Sequence, residues 1–106
     1  MSELPEPTEL SETVEQKVLR LRGGGQPYAR ISRHLGLDRA ADAQKAFVRA
    51  LGLLPASDAK QVRAEELSRL DGLAERVRGD ADQNDIDRAR RLKTIERMRT
   101  QISECS

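Results

Sequence analysis

Basic side chains are concentrated in one segment of this sequence, beside residues that predict a sharp corner between two helices. Residues 17–54 carry eight lysines and arginines against two aspartates, a net charge of 8 − 2 = +6. The same segment contains Leu-Gly-Leu at positions 35–37, and a glycine in that setting is typical of a helix C-terminus. Clustered cations beside a helix corner are the pattern expected where nucleic-acid phosphates dock.

The rest of the chain is charged differently. Residues 1–16 carry five glutamates and no base, and residues 55–106 carry eleven charges of each sign, so the three segments sum to −5 + 6 + 0 = +1. The alternative explanation of the basic segment is that its arginines only keep the helix surfaces soluble and bind no phosphate. The C-terminal half has still more basic residues, but there they are balanced by acids.

No group of residues predicts catalysis, a metal site or a cofactor. His34 is the only histidine, and Cys105 is the only cysteine and is close to the chain end. The glycines at 23–25 lack the Gly-Lys-Ser/Thr sequence of a phosphate-binding loop. The acidic run at 79–85 has Arg91 where a calcium loop requires glutamate. We therefore expect no enzyme activity, no metal and no cofactor.

Composition favours an all-α fold. Of the 106 residues 37% are hydrophobic, with one Phe, one Tyr and no Trp, and period-two runs of β-branched or aromatic residues are absent. The core must be thin and built from leucine and alanine, which suits closely packed helix pairs and contact with another subunit. No signal-peptide or membrane-spanning pattern is present, and a lone cysteine is typical of a reducing compartment, so we expect a cytoplasmic protein with no membrane partner.

The first half of the chain predicts three helices after a disordered acidic arm at 1–10. The first runs over 11–22, with Thr13 and Gln16 as a capping box, and the glycines at 23–25 end it. The second runs from Pro27 to Leu35 and ends at Gly36, and the third runs from a capping Asp38 to about Leu51. We assign residues 11–54 to one DNA-binding unit.

The second half predicts an antiparallel hairpin of two amphipathic helices, over residues 57–103. One helix begins at Asp58, with Gln61 as its capping partner, and the polar turn at 79–85, capped by Asn84 or Asp85, leads into the other. The apolar stripes predict an interface for self-association or for a partner protein, although a hairpin closed on itself is the alternative. Its residues are Val62, Leu67, Leu70, Leu73, Val77, Leu92, Ile95, Met98 and Ile102.

The sequence "ISRHLGL" at 31–37 resembles the "IARRLGI" signature of bacterial and phage helix-turn-helix proteins, with Ser32 where alanine is usual. The family pattern expects an apolar residue at the position of Asp42, and a turn one residue longer, with Ala43 packing inward, is the alternative alignment. A structural helix corner that binds no DNA is the other interpretation. The resemblance implies contacts to DNA from the residues that would face outward, with phosphate contacts from the preceding helices. They are Arg20, Arg22, Tyr28, Arg30, Arg33, Arg39, Ala41, Gln44, Lys45 and Arg49.

The order of a small helix-turn-helix and a charged hairpin is similar to the small terminase subunits of tailed phages, over about residues 14–102. That resemblance implies binding of double-stranded DNA, assembly of a homo-oligomer, and a separate large partner protein that performs catalysis. A small transcription regulator would fit the same features. A helical adaptor that binds another protein, and no DNA, is a different class that the sequence leaves open. The charges also suggest that residues 1–10 cover the basic face when DNA is absent.

Overall fold

The protein is all-α, as the sequence predicted. In the computed structural model, residues 12–104 are described, and five helices account for 81% of them, with no strand in that range. The helices are α1 (Val14–Gly23), α2 (Tyr28–Leu35), α3 (Ala40–Leu53), α4 (Ala56–Arg78) and α5 (Asp85–Glu104).

The chain divides into two compact units, with the boundary between Ala50 and Leu51. The predicted arm at 1–10, and Cys105, lie outside the described residues. Within the described range, no helix combines the length and the apolar character needed to cross a lipid bilayer.

Local signals set the ends of the first two helices. Thr13 and Gln16 form the predicted capping box: the Thr13 Oγ1 accepts from the Gln16 backbone N–H at 3.1 Å, and the Gln16 Oε1 accepts from the Thr13 N–H at 2.9 Å. At the end of α2, Gly36 adopts a left-handed conformation, with φ of 73°. The Leu37 N–H then donates to the Ser32 carbonyl at 2.8 Å and closes the helix end.

Two predicted helix starts are wrong. Asp38 and Asp58 were expected to cap, but α3 begins at Ala40 and α4 begins at Ala56. At α3 the Asp42 Oδ2 accepts from the Arg39 backbone N–H at 3.1 Å, so the capping carboxylate comes from inside the helix. At α4 Pro55 precedes the first turn, with φ fixed near the helical value, and the helix starts without a side-chain cap.

The first unit has a thin core, as its composition predicted. Tyr28 of α2 and Phe47 of α3 meet edge to face with ring centroids 6.1 Å apart, and this contact joins the two helices. Small residues let the helices approach closely around it. The buried apolar residues of this unit are Val18, Leu21, Tyr28, Ile31, Ala43, Ala46, Phe47 and Ala50.

The second unit contains α4 and α5 packed antiparallel. Arg99 of α5 contacts Asp71 of α4 at 2.8 Å, and the residues between Arg78 and Asp85 reverse the chain. The Asn84 Oδ1 accepts from the Asp87 N–H at 2.8 Å, which is the cap predicted for the start of α5. Leu70, Ala74, Val77, Ile95 and Ile102 are buried in this unit.

Candidate nucleic-acid interface

A buried serine holds the corner between α2 and α3. Ser32 is 2% exposed, and its Oγ donates to the Arg39 carbonyl at 2.6 Å, across the turn that Gly36 begins. Ser32 is the residue at which "ISRHLGL" differs from the signature that it resembles, and its hydroxyl adds a hydrogen bond between α2 and the turn that follows. The bond fixes where α3 starts relative to α2.

Replacing Ser32 with alanine removes this bond and leaves the corner otherwise intact. We expect Ser32→Ala to lower the free energy of unfolding by about 1 kcal/mol, the usual net contribution of one hydrogen bond. Urea denaturation followed by circular dichroism measures the change. Ser68→Ala, at an exposed serine of α4, is the control, and equal stability of the two variants would show that the Ser32 bond contributes nothing.

Four exposed cations surround the corner. Arg30 and Arg33 lie one turn apart on α2, Arg39 lies in the turn itself, and Lys45 lies on α3; we call these four the corner cations. None of them has an acidic partner within ion-pair distance among residues 12–104. Ala41 is exposed one turn before Lys45, so α3 presents a small residue beside its cation.

The two aspartates of the basic segment have different roles. Asp42, at the position where the helix-turn-helix pattern expects an apolar residue, is half-buried and accepts from the Arg39 N–H, as described above. Its carboxylate is therefore directed to the backbone of its own corner. Asp38 is exposed and is the remaining acid of this segment that lowers the positive potential there.

Two further arginines of the predicted set are exposed but paired with acids of the same unit. The Arg20 Nε and Nη2 donate to the two carboxylate oxygens of Glu12 at 2.9 and 3.0 Å. The Arg49 Nε contacts the Glu15 Oε1 at 3.3 Å. Hydrogen bonding from Arg20 holds the pKa of Glu12 below its ordinary value, so this pair is intact at neutral pH.

Three predicted contact residues are wrong, because the fold buries them. The Arg22 guanidinium lies over the Tyr28 ring at 4.2 Å, and its Nη1 donates to the Gln26 carbonyl at 2.9 Å. Arg22, Tyr28 and Gln44 are each only 7% exposed. Arg22 and Tyr28 form a cation–π pair that packs in the first unit, and the rotation of α3 turns Gln44 inward.

Neither a protein-family model, nor a curated protein, nor a solved structure matches this chain.

The hairpin residues predicted as an interface divide into two groups. Leu70, Val77, Ile95 and Ile102 are at most 4% exposed in the single chain, so they cannot form the surface of a contact with a second chain, and that prediction is wrong for them. Their apolar surface is already used within the folded chain. The remaining residues are half-buried and keep part of their apolar surface accessible: Val62, Leu67, Leu73, Leu92 and Met98.

Proposed function

We propose that this protein binds double-stranded DNA through the corner between α2 and α3. The observation that supports the proposal is the set of four exposed cations that have no acidic partner in the described chain, gathered around a turn fixed by Ser32 and Gly36. Cations with no acidic partner among residues 12–104 are favourably placed for phosphate, because they lose no ion pair to that part of the chain on binding. Phosphate neutralisation with release of counterions is the main source of sequence-independent affinity for DNA.

In the proposed complex, α3 enters the major groove. That groove is about 12 Å wide and admits one helix, whose first turns then contact base edges. Ala41 allows close approach, while Lys45 reaches bases or phosphates from the same side of α3. Arg30 and Arg33 contact the phosphate backbone and set the orientation. The similarity of residues 31–37 to the helix-turn-helix signature supports this arrangement.

The biological role that we propose is DNA recognition in the cytoplasm, as the small terminase subunit of a tailed phage or as a small transcription regulator. Both roles use the same contact with DNA. They differ in the partner, which is a large catalytic subunit in the first case and the transcription machinery in the second.

Fluorescence anisotropy with a labelled duplex tests the proposal. At about 50 mM salt the protein should bind a random-sequence duplex saturably, and competition with unlabelled duplex should reverse the signal. A helical adaptor would leave the anisotropy unchanged at every protein concentration. That result would refute the proposed function.

Glu15 of α1 should compete with DNA for Arg49. We expect Glu15→Gln to bind duplex DNA about threefold more tightly than the wild type at low salt, because Arg49 no longer gives up an exposed ion pair when it contacts phosphate. The same titration measures this gain. Glu65→Gln changes the net charge equally in the hairpin and is the control; an equal gain in both variants would show that the ion pair has no specific effect.

A further inference from the structure

A groove runs along one face of the hairpin, between α4 and α5. Its volume is about 600 Å³, and all the residues that line it belong to the second unit. Its floor is apolar, formed by Ala74, Ile95 and Leu92, of which Leu92 keeps part of its surface accessible. The small side chain of Ala74 leaves room for another chain to approach the helices closely.

Charged residues form the rim of the groove in a regular order. The contact of 2.8 Å between Asp71 and Arg99 sets the register of the two helices at one end. One turn closer to the loop that joins the helices, α4 carries Glu75 and α5 carries Glu96, so both sides of the groove are acidic there.

The next layer of the rim has the opposite charge. Three residues beyond the acids, Arg78 on α4 and Lys93 on α5 make both sides basic. Arg78 also contacts Glu75 at 2.8 Å, whereas Lys93 has no ion-pair partner in the described part of the chain. The acidic and basic layers are therefore about 4.5 Å apart along the helices.

We propose that this groove is the contact surface between two copies of the chain, related by a two-fold axis. The axis lies in the plane of the contact and runs across both helices, perpendicular to their length. Such an axis between the two layers sets the acids of one copy over the bases of the other. Glu75 then faces Arg78 of the second copy, and Glu96 faces its Lys93. A two-fold axis along the hairpin would instead bring Glu75 against Glu96, so the charge order selects the first arrangement.

The size of the face is sufficient for this contact. A face about 30 Å long and 20 Å wide can bury at most roughly 600 Å² per copy, or about 1,200 Å² in total, the lower limit for a specific interface. Leu92 supplies the accessible apolar surface of the floor, since Ala74 and Ile95 are only 6% and 4% exposed, and the exposed charges mainly select the orientation. Because the same patch is used on both copies, the assembly closes at two chains and does not continue into a ring.

This inference rests on the proposed function for its biological meaning, since a two-fold dimer carries two corners for DNA. Duplex sites for such dimers are usually inverted repeats. The dimer itself is independent of DNA and can be tested without it.

Light scattering of charge-swapped full-length variants tests the proposal. The acidic variant is Arg78→Glu with Lys93→Glu, and the basic variant is Glu75→Lys with Glu96→Lys. The wild type should have about twice the chain mass of 11.9 kDa, each variant alone should be monomeric, and their equimolar mixture should restore the dimer. Restoration would also show that both variants are folded.

Lys93→Glu alone provides a second test, because it breaks no ion pair in the described chain. It should raise the dissociation constant of the dimer roughly tenfold. Any one of four results would overturn the proposal. The first two are a wild type that is monomeric or larger than a dimer, and an acidic or basic variant that is dimeric by itself. The other two are a mixture of the variants that stays monomeric, and a Lys93→Glu protein with an unchanged dissociation constant. DNA binding is measured separately by anisotropy, so a monomer that binds DNA refutes the dimer alone, and a dimer that does not bind DNA refutes the proposed function alone.

Discussion

Reversing the charge of Arg33 and Lys45 is expected to weaken binding to duplex DNA by roughly 100-fold or more at about 50 mM salt. One residue lies on each helix of the corner, and neither has an acidic partner among residues 12–104. Each lost phosphate contact costs about tenfold at that salt concentration, because fewer counterions are released. The new glutamates add repulsion from phosphate, so the double variant Arg33→Glu with Lys45→Glu loses more than the two contacts.

A matched control separates this local effect from the change in net charge. Lys60→Glu with Arg76→Glu reverses two exposed cations of α4 and gives the protein the same net charge. We expect this control to bind DNA within a few-fold of the wild type, since long-range charge is screened beyond about 10 Å at 0.1 M salt. Equal losses in the two variants, measured by anisotropy, would mean that the corner is not the binding surface.

Removing the ring of Phe47 is expected to cost about 3–5 kcal/mol of unfolding free energy. Phe47 is 1% exposed, and its ring meets the edge of Tyr28, which carries the Arg22 guanidinium on its face. The neighbouring core positions are largely alanines, which cannot move far enough to fill the space. A loss of this size is a large fraction of the 5–15 kcal/mol typical of small proteins.

Urea denaturation followed by circular dichroism measures the effect of Phe47→Ala. Leu53→Ala is the control, since Leu53 lies on the same helix but is 74% exposed and should change stability by less than about 0.5 kcal/mol. If Phe47→Ala were as stable as Leu53→Ala, the aromatic contact between α2 and α3 would not be the centre of the first unit.

The sequence predicted the features that depend on short-range chemistry. The capping box of Thr13 and Gln16, the left-handed Gly36 and the cap at Asn84 each involve residues within three or four positions of one another. The start of α4 was missed because two local signals compete. Pro55 lies directly before the helix, and Asp58 is then placed in the first turn, where a negative charge is favoured by the helix dipole.

The sequence could not predict features that depend on contacts between helices. Gln44 was expected outside from the resemblance to the helix-turn-helix pattern, but the position of α3 in the core turns it inward. Arg22 and Tyr28 pair across the glycines at 23–25, and helical periodicity does not connect residues on either side of such a break. The contact between Glu15 and Arg49 joins residues 34 positions apart, so only the fold reveals it.

The salt dependence of duplex binding by the wild-type protein tests the central claim most directly. With four corner cations, and Arg49 as a fifth when Glu15 is displaced, the slope of log K against log salt should lie between about −3 and −5. Anisotropy titrations over a series of salt concentrations give this slope. A slope flatter than about −1, or no binding at the lowest salt, would contradict a phosphate-binding corner.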